Sequence, residues 1–88
     1  MKMMIVVLND QDGDQVIKAL VEEEFRVTRI ASTGGFLRRG NTTLLIGTEE
    51  ERVDQAMEMI RVNMKKPDQS DVGRATVFVL NVDRYHQL

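Results

Sequence analysis

Residues 2–8, KMMIVVL, are apolar at every position but the first, and residues 74–82, RATVFVLNV, are nearly as apolar. A strand with one covered face alternates apolar and polar residues. Here Ala75, Val77 and Val79 fall on one face, and Phe78, Leu80 and Val82 fall on the other. Both faces of both strands therefore ask to be buried. The chain has 88 residues, enough for one domain over 1–88 and no more. A two-layer fold of that size covers one face of a sheet and has nothing left for the second. An exposed apolar face that large is unusual for a monomer. The second face is expected to pack against other copies of the chain.

The rest of the pattern supplies the first layer. Val16, Ile17, Leu20 and Val21 recur at helical spacing after a polar stretch, Asn9 to Asp14, that reads as a turn. Asp12 with Gln15 resembles a capping box, which predicts a helix over 12–23. Phe25 to Ala31 reads as a second strand and Asn41 to Ile46 as a third. Thr48 with Glu51 is a second capping box. Val53, Ala56, Met57, Ile60 and Met64 then form a helical stripe that ends at Lys65, Lys66 and Pro67. The order is β-α-β-β-α-β. It predicts an α+β, ferredoxin-like sandwich, an antiparallel sheet with two helices on one face.

Composition narrows the function. There are no cysteines, so disulfide frameworks and Cys-based metal sites are excluded. The net charge of −2 does not favour nonspecific binding to DNA or RNA. The N-terminal apolar run is too short for a signal peptide or a membrane span, so a soluble, cytoplasmic protein is expected.

Between the second and third strands lies TGGFLRRGN, residues 33–41. Gly34 and Gly35 allow main-chain N–H groups to approach a ligand, and successive N–H groups make an anion-binding concavity. Arg26, Arg29, Arg38 and Arg39 bring positive charge, and an arginine forks onto phosphate oxygens. Phe36 offers a flat apolar surface. The amide of Asn41 matches an edge of adenine, and Gly47 leaves room where a side chain would block a pocket. These are the parts of a nucleotide site. They are also the parts of an ordinary solvated hairpin, and the short Gly-rich turn does not decide between the two. Strict alternation in the second strand fails at Arg29, which predicts a bulge or an exposed strand end.

Other candidates are weaker. NDQDGDQ, residues 9–15, lacks the glycine position and closing acid of a calcium loop. His86 is the only histidine. No pair of titratable groups stands out as an acid–base couple, so no enzyme, metal site or bound cofactor is expected.

FRVTRIASTGGFLRRGNTTLLIG, residues 25–47, closely resembles the signature of the cyclic-di-AMP receptor family, the PII-like signalling proteins. NDQD near the N-terminus, RVDQAMEMI and GRATVFVLNVDRYHQL are similar as well, so the resemblance covers nearly the whole chain. It implies a ferredoxin-like subunit in a PII-like homotrimer, with cyclic di-AMP in clefts between subunits. It implies that Arg26 and Thr28 contact the ligand from the second strand, and Gly35, Phe36 and Leu37 from the turn. Asn41 and Gly47 would border an adenine, and Phe78 and Gln87 would close the pocket.

There are two departures. Glu24 stands where the family usually has an Asn that helps bind ligand. A carboxylate there repels a phosphodiester unless it turns away or pairs with an arginine. The family's long loop before the last strand is reduced to PDQSDVG, residues 67–73. A non-enzymatic receptor for a nucleotide second messenger is the leading reading. The alternative is a loop-shortened PII-like trimer that binds ATP or ADP, or that serves as a ligand-independent module for an unknown protein partner.

Overall fold

The computed structural model describes residues 1–32, 40–64 and 75–88. Strand β1 runs over Lys2–Asn9, helix α1 over Asp10–Glu22, β2 over Arg26–Ser32 and β3 over Asn41–Thr48. A single 3-10 turn, Glu50–Arg52, leads into helix α2, Val53–Val62, and β4 is Ala75–Asn81. The sheet order is β2-β3-β1-β4, and every neighbouring pair is antiparallel. This is the expected ferredoxin-like α+β arrangement.

The two periodicities meet in one core. Met4, Val6 and Leu8 of β1 alternate with less buried neighbours, as do Leu44 and Ile46 of β3. They pack with Val16 and Leu20 of α1 and with Val53, Ala56 and Ile60 of α2. Met57, expected in the α2 stripe, is instead exposed, whereas Met59 and Met64 pack on the core. The contact face is centred on Val53, Ala56 and Ile60, and Met57 lies at its edge.

Both predicted capping boxes are wrong. Helix α1 begins two residues early, at Asp10, and its cap is Asn9, whose side chain accepts from the Gln11 N–H at 2.9 Å. Residues 9–14 are therefore cap and first turns rather than a polar loop. Asp12 is buried in the first turn. Thr48 is the last, buried residue of β3, and neither Glu49 nor Arg52 makes a side-chain cap bond. Strand continuation carried more weight there than capping chemistry. The bulge foreseen in the second strand is present, between Arg29 and Ala31. The guanidinium of Arg29 reaches Asp14 on α1 at 3.0 Å, so Arg29 serves the helix side of the sheet.

The opposite face of the sheet carries the second apolar layer. One rung reads Thr28, Leu45, Ile5, Phe78 across the four strands, and the next reads Arg26, Gly47, Met3, Leu80. Phe78 is 54% exposed and Leu80 46%. Val79, which faces the helices opposite Met4, is also partly open because β4 is the sheet edge.

Candidate ligand site

The site begins where α1 ends. The Phe25 N–H donates to the Leu20 carbonyl at 3.0 Å and the Glu24 N–H to the Val21 carbonyl at 2.9 Å. This paired pattern is the Schellman motif, which places Glu24 at the position that glycine usually fills. Glu24 accordingly has φ 68°. The motif reverses the chain, drops Phe25 into the core and starts β2 with Arg26 on the open face.

Arg52 braces this corner. Its Nη2 donates to the Glu23 carbonyl at 2.9 Å, satisfying the end of α1, and its guanidinium lies 4.0 Å from the centre of the Phe25 ring. A cation over a ring face is attracted by the ring quadrupole. The C-terminal tail closes the other side. The Val82 N–H donates to the Met1 carbonyl at 3.1 Å, and Arg26 Nη1 donates to the Tyr85 hydroxyl at 3.3 Å. The tail thus leaves β4 and crosses the ends of β1 and β3 to reach β2.

Between these walls is a groove of about 570 Å³. It brings together Arg26, Thr28, Gly47 and Gln87, four of the residues expected in the site. It also contains residues that no sequence pattern singled out, notably Arg52, Glu49 and Tyr85. Arg52 was legible only as the first residue of the similar stretch RVDQAMEMI, and Tyr85 only as a residue of the similar C-terminal stretch. Each becomes visible as a wall once the chain reverses at Glu24 and the tail returns.

The other expected residues lie elsewhere. Phe78 is on the open face but three strands from Thr28, about 14 Å at ordinary strand spacing. Asn41 is at the far end of β3 from Gly47, about 20 Å along the strand. One chain does not bring Asn41 and Gly47 to the same adenine. Gly35, Phe36 and Leu37 lie outside the described residues, as do Gly34, Arg38, Arg39 and the connection at 67–73.

Glu24 lines the groove, and among the described residues no ion pair holds it. Among the described residues it pairs with no arginine. Two consequences share one test. A non-glycine residue in the left-handed region costs about 1–2 kcal/mol, and asparagine adopts it more readily. Glu24→Asn is expected to raise the unfolding free energy by about 0.5–1 kcal/mol in denaturant at fixed protein concentration. The same change removes a negative charge from the groove. A phosphodiester ligand should then bind several-fold more tightly at low salt, and less so at high salt.

Gly47 gives a cleaner contrast. Among the described residues, a Cβ built there meets nothing closer than the Met1 sulfur, at 3.9 Å. Among the described residues, nothing requires glycine at this rung. Gly47→Ala is expected to leave folding unharmed or to stabilise it by about 0.5–1 kcal/mol, since glycine inside a strand is entropically costly. If ligand lies against the Gly47 backbone, the same substitution weakens its binding at least tenfold in calorimetric titration.

The groove offers cationic side chains, a bare strand position and an aromatic wall. Among the described residues there is no group of acidic or histidine side chains able to hold a metal, and no helix is long and apolar enough to cross a membrane. A crystal structure of a functionally unknown protein from Pediococcus pentosaceus ATCC 25745 is similar to this fold, with a TM-score of 0.78 and 37% sequence identity. The match covers 99% of this chain and 96% of that one. Residues 1–70, which include β1 to β3, both helices and the arginine- and glycine-bearing walls of the groove, match the model of the cyclic-di-AMP receptor family. This chain belongs to the cyclic-di-AMP receptor family.

Proposed function

We propose that the protein is a non-enzymatic receptor that binds cyclic di-AMP at the interfaces of a homotrimer and transmits its presence to a protein partner. The observation that carries this reading is the groove that unites Arg26, Thr28, Gly47 and Gln87 beside an apolar sheet face. Arg26 suits a phosphodiester, Gly47 allows close approach of a ligand, and Gln87 offers amide donors and an acceptor to a base. Trimer formation also addresses the distances. A neighbouring subunit packed on the open face would bring its own Asn41 or Phe78 to a groove that one chain leaves without them.

Two measurements test it. Sedimentation at micromolar concentration should give a mass three times that of one chain; a monomer would overturn the intersubunit site. Calorimetric titration with cyclic di-AMP, beside cyclic di-GMP and ATP, should show selective binding at one ligand per subunit. Heat with ATP or ADP instead would assign a different nucleotide. Glu24, a carboxylate lining the groove with no ion-pair partner among the described residues, favours a second reading, a ligand-independent interaction module. Capture of one stable protein partner with and without nucleotide, together with no heat from any nucleotide, would establish that reading.

A further inference from the structure

We infer that Tyr85 is a ligand-contacting residue, and that its phenol donates a hydrogen bond to the same phosphodiester that Arg26 binds. The inference rests on the proposed receptor function and deepens it. Tyr85 lines the groove and is 53% exposed, so its ring is a wall rather than a core residue. Its hydroxyl already accepts a hydrogen bond from Arg26 Nη1, at 3.3 Å. A phenol has one donor and two acceptor positions. The arginine uses an acceptor position, which leaves the O–H proton to be given away. It also fixes where that proton is offered, beside the guanidinium.

Donation from the positive guanidinium draws electron density from the phenol oxygen and makes its O–H a stronger donor, as in polarised hydrogen-bond chains. An anionic oxygen placed against Arg26 would therefore meet two donors at once, one charged and one neutral. The guanidinium has five N–H donors, and one bond to Tyr85 leaves four for the ligand. The Arg26–Tyr85 contact thus prepares the arginine without consuming it. The contact also makes the tail part of the site. Tyr85 follows β4 by four residues and reaches β2 along a tail whose Val82 N–H is bonded to the Met1 carbonyl.

The test is calorimetric titration of cyclic di-AMP into the wild-type protein and Tyr85→Phe, with the phosphorus resonances of the bound ligand recorded for both. Tyr85→Phe keeps the ring in the wall and removes only the hydroxyl. It should weaken binding about 10- to 100-fold, the usual cost of losing a hydrogen bond to a charged acceptor. It should move a bound phosphorus resonance, and its thermal unfolding should match that of the wild type. Unchanged affinity and an unchanged phosphorus spectrum would overturn the role of Tyr85 and leave the receptor reading intact. Lost affinity with an unchanged phosphorus spectrum would mean that the phenol only anchors the tail, and would also overturn it. No binding of cyclic di-AMP by the wild-type protein would overturn both readings together.

Discussion

Phe25→Ala is expected to destabilise the protein by about 3–5 kcal/mol, the range for truncating a buried aromatic side chain. Phe25 is only 4% exposed and belongs to the same core cluster as Leu20, to which its N–H is bonded. Truncation would open a cavity beneath the reversal that joins α1 to β2. It would also take away the ring over which Arg52 sits. A small domain has about 5–15 kcal/mol in total, so much of the folded population would be lost near its working temperature. The measurement is denaturant unfolding at fixed protein concentration. A loss below about 1 kcal/mol would be typical of a surface position and would contradict this core assignment. Phe25→Leu retains most of the apolar volume and loses the ring face. Comparing it in the wild-type and Arg52→Gln backgrounds isolates the guanidinium–ring contact, expected to contribute about 0.5–1 kcal/mol.

The importance of this corner explains what could and could not be seen in the sequence. Element order was legible because hydrophobic period changes sharply, from the continuous run in β1 to the stripe at Val53, Ala56 and Ile60 in α2. The apolar open face was legible for the same reason: Ile5, Leu45 and Phe78 fall on one rung because strand residues alternate. Helix starts were misread because Ser, Thr, Asp and Asn suit several local conformations, and tertiary context chooses among them. Asn9 captured the cap from Asp12, and Thr48 was drawn into the strand. The end of α1 carried no glycine to announce it, because Glu24 occupies the left-handed position.

The site shows the same division. Arg26, Thr28 and Gly47 were legible because they share a strand pair and a short motif. Arg52 and Tyr85 lie outside that stretch, and they meet Phe25 and Arg26 only through long-range packing. No local pattern encodes a contact between residues 26 and 85. Asn41 and Phe78 mark the reverse case. They are residues of the right type that one chain holds far from the groove, so the sequence named them without saying how they reach it.

Arg26→Ala is expected to weaken cyclic di-AMP binding by about 1.5–3 kcal/mol, the range for a hydrogen bond to a charged group. The side chain is exposed, and its recorded hydrogen bond is to Tyr85, which is exposed as well. Folding stability should therefore change by less than about 0.5 kcal/mol, as at other surface positions. That combination is diagnostic, because a residue needed only for folding would lose stability and affinity together. Charge and geometry can then be separated. Arg26→Lys keeps the positive charge but lacks the planar fork that grips two phosphate oxygens. Its affinity should fall between those of the wild type and Arg26→Ala. The wild-type affinity should also decline with added salt more steeply than that of Arg26→Ala, since screening acts on the charge that was removed. Tyr85→Phe removes no charge and should retain the wild-type salt dependence. If Arg26→Ala binds as tightly as the wild type, the guanidinium does not touch the ligand, and the groove between β2, β3 and the tail is not where cyclic di-AMP sits.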